Sequence, residues 1–164
     1  MKRKILVIIF ILSLSAAAKS HSLGLGVQAN FSAGEIFAPG AALLISPSDI
    51  THLAINWYLD FDAVTIFGLT FDACPLTIQL AGFKVGSLNF TLGIGLFANL
   101  IFADDTVFNA GLRIPVGLNI FLGPNRFFEI FTHIAPSFGV DFVPSMGLSN
   151  PFFPIALGGR IWFH

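Results

Sequence analysis

The sequence predicts an all-β fold: an antiparallel up-and-down transmembrane β-barrel of about eight strands, preceded by a cleaved signal peptide. Three observations predict it. Apolar residues recur at every second position in segment after segment, the period of a strand and not of a helix. The intervening positions carry Gly, Asn, Ser, Thr and Ala in place of the Lys and Glu of a solvated strand face. Finally, charged residues make up 10% of the chain and the mean hydropathy is +0.83, against about 25% charged residues in typical soluble domains. A 164-residue chain leaves too much surface in water to hide so much apolar area, so lipid is expected to cover it.

The N-terminus reads as an export signal. Lys2, Arg3 and Lys4 precede the apolar run Ile5–Leu14, and Ser15-Ala16-Ala17-Ala18 follow it. A basic start, a short apolar middle and small residues at the end make a signal peptide, spanning residues 1–22 with cleavage between 18 and 22. Residues 23–164 then form the barrel domain. Without Lys2, Arg3 and Lys4 the chain keeps five Lys and Arg against nine Asp and Glu, a net charge near −4. That balance disfavours nucleic acid as a partner, because no basic patch is left to neutralise phosphates. Cys74 is the only cysteine, so no intrachain disulfide forms and the residue is expected to serve as small packing.

Transmembrane helices are the first alternative for so apolar a chain, and the uncharged run Val85–Ala103 has the length for one. Its pattern argues for a strand. Leu88, Phe90, Leu92, Ile94, Leu96, Ala98, Leu100 and Phe102 form one row, and the other row holds Ser87, Asn89, Thr91, Gly93, Gly95 and Asn99. A helix would scatter those polar residues around its circumference.

Turn residues then divide the chain into strands at 22–31, 37–46, 50–61, 65–80, 87–102, 107–121, 127–142 and 151–163. In the first, Gly24, Gly26, Gln28 and Asn30 alternate with Leu25, Val27, Ala29 and Phe31. In the third, His52, Ala54, Asn56, Tyr58 and Asp60 alternate with Leu53, Ile55, Trp57 and Leu59. The connections are rich in Gly, Pro, Asn and Asp, as turns require. Those at 46–49, 82–86 and 123–126 are expected on the periplasmic side. Around Cys74-Pro75 the apolar row changes phase, from Phe67, Leu69, Phe71 and Ala73 to Leu76, Ile78 and Leu80. A bulge, a broken strand or a separate re-entrant segment would each do this. Pro115, Pro136 and Pro154 fall inside strands and each removes a ladder donor, so irregular pairing is expected there.

In "GLRIPVGLNIF" (111–121), Leu112, Ile114, Val116 and Leu118 are assigned to lipid, and Arg113 and Asn119 to the interior. Leu92, Ile94, Leu96, Ile155, Leu157 and Ile161 are assigned to lipid on the same ground. Arg113, Glu129, His133, Asp141 and Arg160 are expected to form an inward polar network that fills the lumen. A buried guanidinium needs a partner, and inward acids, chiefly Glu129, are expected to hold both arginines.

The chain resembles the small eight-stranded outer-membrane β-barrels of bacteria, the OmpA/OmpX-like class, and within it a spirochaete-type family of short barrels. The resemblance rests on "AGLRIPVGLNIFL" (110–122), "FFEIFTHIAPSFGV" (127–140) and "PIALGGRIWF" (154–163), with "GIGLFANL" (93–100) in support. It implies a bacterial outer-membrane location, with the bilayer and the barrel-insertion machinery as partners. That class ends in an aromatic strand read by the machinery. Here Ile161 and Phe163 carry that signal, and His164 follows as a departure. The resemblance brings no catalytic or ligand residues.

Enzymatic chemistry finds no support. Ser137, His133 and Glu129 share a row at four-residue spacing, which places neighbours roughly 13 Å apart along a strand, too far for a nucleophile–base pair. His21, His52, His133 and His164 lack metal-ligand spacing, so no metal and no cofactor is expected. "GLGLG" (23–27) lies in a strand and not in a strand-to-helix phosphate turn. The leading expectation is a structural or surface-interaction protein whose surface ligand is unknown. Its rivals are a narrow channel for small solutes or ions, and a soluble lipid-binding barrel with the alternation inverted.

Overall fold

The structure, a computed structural model, describes residues 22–33, 38–59, 65–103 and 105–163. Residues 1–21, which hold all of the expected signal peptide but Ser22, and Asp60 and His164 lie outside them. Strands β1 (Leu23–Ala33), β2 (Ala38–Ser48), β3 (Thr51–Leu59), β4 (Thr65–Phe83) and β5 (Gly86–Phe102) follow one another as an antiparallel meander. Next come β6 (Thr106–Arg113), β7 (Val116–Leu122), β8 (Phe128–Ile134), β9 (Ser137–Val143), a two-residue β10 (Gly147–Leu148) and β11 (Phe153–Phe163).

Pairing closes the sheet. β5 pairs with both β6 and β7, β6 with β9, β7 with β8, β8 with β11, and β11 with β1, Leu23 opposite Phe163. β6 and β7 are thus two halves of one stave, as are β8 and β9, and the wall has eight staves with both ends of the described chain at one rim. Ladder partners followed from Phe71 pass through Leu53, Ile45, Leu25, Ile161, Phe128, Leu122 and Gly86 and return to β4 at Phe83. The offset between Phe71 and Phe83 is the stagger that tilted strands need to close.

The two split staves correct the expectation of unbroken strands at 107–121 and 127–142. The breaks fall at Ile114-Pro115 and Ala135-Pro136, where a proline cannot donate to the ladder. The proline carbonyls still accept: Gly93 N–H donates to Pro115 at 2.9 Å, Ile114 N–H to Pro136 at 3.0 Å, and Ala135 N–H to Pro154 at 2.9 Å. The wall is therefore held through each proline on one side. β10 is a second departure, since 143–150 reads as connection alone.

The phase change at Cys74-Pro75 is a bulge in a continuous strand. The β4–β5 register shifts between Ala73 and Leu76, and again between Gln79 and Ala81. Cys74 N–H donates to Ile50 at 2.7 Å, and β3 pairs no further. From Pro75 to Phe83, β4 is exposed on both faces.

Apolar rows face outward. Ile94, Leu96, Leu112, Ile114, Leu118, Ile155, Leu157, Ile161 and Phe163 are exposed, and Leu92 and Val116, in the same rows, are half-buried. The opposite rows are buried and mostly polar, including Gln28, Asn30, Asn56, Asp72, Asn89, Asn109, Arg113, Asn119, Glu129 and Arg160. The inverted arrangement of a soluble lipid-binding barrel is not formed.

Candidate functional site

The interior is built from facing rows whose ladder register decides who meets whom. Glu129 on β8 lies directly opposite Arg160 on β11. Arg160 Nη1 stands 3.1 Å from Glu129 Oε2, and the carboxylate is fully buried. Two more donors complete it: Trp162 Nε1–H at 2.9 Å to Oε2, and the Asn119 amide to Oε1. Arg160 Nη1 also donates across the lumen to His52 Nδ1 at 3.0 Å. Its guanidinium carbon lies 4.8 Å from the Phe131 ring centroid and 5.3 Å from that of Trp162. A buried cation is thus met by a carboxylate, an imidazole acceptor and two aromatic faces.

Arg113 has a different partner from the one its sequence position suggests. Its ladder neighbours are Gly95 on β5 and Ser137 on β9, and Glu129 pairs instead with Phe121 and Arg160. Gly95 is opposite Asp72 on β4, so Asp72, Gly95 and Arg113 stand in one ladder row. With no side chain on Gly95, Arg113 reaches over β5 to Asp72, Nε to Oδ1 3.2 Å. This is an ion pair by distance, but neither atom is aligned as a hydrogen bond. Arg113 Nη2 donates to His133 Nε2 at 3.2 Å, and the His133 ring stacks on Phe131, centroids 5.9 Å apart. The expectation that Glu129 is the chief acid for both arginines is corrected: register gives it to Arg160, and Asp72 takes Arg113.

Asp141 also departs from the expected network. It is the ladder partner of Asn109, receives a hydrogen bond from Ser149 Oγ at 2.5 Å, and makes no ion pair among the described residues. Arg113, opposite Ser137, sits too far along the same wall: four strand residues separate Ser137 from Asp141, roughly 13 Å. Ser137 Oγ donates to the Ala135 carbonyl at 2.7 Å, and Glu129, His133 and Ser137 each have separate partners.

Sequence reasoning overlooked Asp72, His52 and Gly95 as members, and placed Asn119 inward without naming it in the network. Asp72 carried a usable signal, since it shares the polar row of Gly68 and Thr70 opposite Phe67, Leu69 and Phe71.

The crossed ion pairs divide the lumen. At their level only a cavity of about 40 Å³ is left, bordered by His52, Asp72, Cys74, Arg113, His133 and Arg160. Toward the end opposite the termini, the lumen widens into a cavity of about 310 Å³, bordered by Asn56, Tyr58, Phe97, Asn99, Asn109, Asp141 and Phe152. On the same side of the pairs as this cavity, Asn30 donates to Asn56 and Gln28 to Asn30, at 2.9 and 2.7 Å, continuing the hydrogen bonding along the wall.

No protein-family model matches the chain, and no curated protein matches its sequence. Among solved structures, the N-terminal β-barrel domain of Pseudomonas aeruginosa OprF is 15% identical, with a TM-score of 0.41 and coverage of 88% of this chain and 98% of that one. Neisserial surface protein A is 10% identical, TM-score 0.43, covering 85% and 95%. Ail, the attachment invasion locus protein of Yersinia pestis, is 12% identical, TM-score 0.39, covering 87% and 97%. The superpositions are loose, and the closed ring of eight antiparallel staves itself defines the fold.

Proposed function

We propose that the chain is an integral outer-membrane barrel with a structural or surface-interaction role, a side-chain-filled interior and no catalysis. One observation carries the reading: apolar residues line the outside of the wall, while Arg113, Arg160, Asp72 and Glu129 are buried and paired within it. Water would favour the reverse arrangement, and a bilayer favours this one. Exposed aromatics support it further. Near one rim Phe67 meets both Trp57 and Phe102, and Phe127, Phe128 and Phe163 are exposed near the other, as girdles at two interfaces would be.

Residues 1–22 act as the export signal in this reading and 23–164 as the barrel. Ser22 is buried and donates to Asp49 at 2.6 Å, a bond kept by cleavage after Ala18 or Ser20. The insertion machinery reads the last strand through Ile161 and Phe163. The test is fractionation with carbonate washing, followed by electrophoresis of unheated and boiled samples and ion flux in liposomes. A carbonate-resistant, heat-modifiable protein without steady flux is expected. Carbonate extraction overturns the membrane reading, and robust flux replaces the filled interior with the channel.

A further inference from the structure

We infer that the wider cavity, at the end of the lumen opposite the termini, binds a neutral ring sugar. The inference needs the barrel interior and not its location. One ladder row carries it. Asn56 on β3 is opposite Gly68 on β4, Gly68 is opposite Asn99 on β5, Asn99 is opposite Asn109 on β6, and Asn109 is opposite Asp141 on β9. The four polar residues border the cavity, so a belt of amides ending in a carboxylate runs round part of its wall. Gly68 adds no side chain to the belt, and Asn99 Oδ1 leans into that space, 2.5 Å from where a Cβ would stand.

Apolar surface flanks the belt on both sides. The next inward row toward the mouth is Tyr58, Ile66, Ile101 and Val107, successive ladder partners that border the same cavity. On the other side Phe97 and Phe152 meet edge to face, with centroids 5.0 Å apart. The two kinds of surface ask for different things. Among the described residues the Asn99 side chain makes no hydrogen bond, and neither does the hydroxyl of the buried Tyr58. Asp141 accepts one bond, from Ser149, and a carboxylate accepts several. Free amide, hydroxyl and carboxylate groups together call for a partner that both donates and accepts. The apolar rows call for a face of C–H bonds, since water against them is unfavourable. A sugar ring has a rim of hydroxyls and two faces of C–H bonds.

Size and charge agree with a small neutral ligand. The volume of about 310 Å³ lies at the small end of ligand cavities. The lining holds one guanidinium, Arg113, and one carboxylate, Asp141, whose charges cancel. Arg113 is moreover held by Asp72 and His133. No net field of either sign is left to select an ion.

The experiment titrates the folded barrel in polyoxyethylene micelles, which carry no sugar, with glucose, galactose and N-acetylglucosamine, empty micelles subtracted. Cyclohexanol, glucosamine and glucuronate are the comparison probes. Heat-modifiable mobility certifies the fold of each variant. Saturable binding of at least one neutral sugar is expected, about tenfold tighter than cyclohexanol, because a site built for hydroxyls rejects a ring that lacks most of them. Glucosamine and glucuronate should bind no tighter than the best neutral sugar. Asn99→Ala and Tyr58→Phe should each weaken that sugar about three- to tenfold, the loss of one hydrogen bond. Absence of saturable sugar binding would leave a water-filled mouth and overturn the assignment. So would equal affinity for cyclohexanol, tighter binding of either charged sugar, or a sugar affinity that neither variant lowers. If the variants do not fold, the comparison of the probes on the parent protein decides it.

Discussion

Glu129 and Arg160 face each other as ladder partners on adjacent strands, 3.1 Å apart and each almost wholly out of water. The carboxylate also takes the Trp162 indole and the Asn119 amide. Removing one member of such a pair leaves the other charge buried, which costs about 3–5 kcal/mol. Glu129→Gln should therefore lower urea stability by that order, and Asp105→Asn, at an exposed turn, by under about 0.5 kcal/mol. Replacing Glu129 and Arg160 together should cost less than the two single changes combined. Strict additivity in that cycle would mean that the two side chains are not coupled.

Arg113 makes a second, separable pair. A cycle of Asp72→Asn with Arg113→Met should show a coupling of about 0.5–3 kcal/mol, and a cycle of Glu129→Gln with Arg113→Met should be additive within about 0.5 kcal/mol. The reverse result would restore Glu129 as the partner of Arg113 and refute the ladder register of β4, β5 and β6.

Gly95 makes the Asp72–Arg113 contact sterically possible. A Cβ added there would collide with Asp72 Oδ1 and come within 3.0 Å of Arg113 Cγ. Gly95→Ala should destabilise the barrel, and the loss should shrink when Asp72 is already Asn and Arg113 already Met, because the pair it disrupts is gone. A loss of the same size in both backgrounds would trace the effect to the neighbouring β4 backbone, since the Phe71 carbonyl also lies close, at 2.8 Å.

The alternation of side chains was legible in the sequence because it is a local property: period 2 follows from the pleat alone. Outward Leu112, Ile114 and Leu118, and inward Arg113 and Asn119, follow from parity within a few residues. Which inward residues meet depends on register, and register accumulates around the wall through turns, bulges and stagger. Glu129 and Arg160 lie on strands adjacent in the chain, and their pairing is near at hand. Arg113 and Asp72 are two staves apart and meet only because Gly95 leaves a gap between them. The prolines show the same boundary. Pro115 and Pro136 announce irregular pairing, but not that their carbonyls would keep the wall joined.

The outward rows give the sharpest separation between a barrel in lipid and a barrel in water. Ile114 is 44% exposed, lies mid-stave between the two halves formed by β6 and β7, and its backbone N–H is engaged with Pro136 at 3.0 Å. Its side chain is therefore free to change without disturbing the ladder. Ile114→Arg should cost about 2–4 kcal/mol of folding stability in bilayers if the position is near the midplane. Leu148→Arg, on the two-residue β10 and 88% exposed, should cost little in the same lipid. Asn99→Ser, in an inward row, should also be mild. The measurement is folding yield into liposomes across a urea series, read by heat-modifiable mobility. An Ile114→Arg protein that folds into bilayers as well as the parent would place that row away from lipid, and with it the outward assignment of Leu112, Val116 and Leu118.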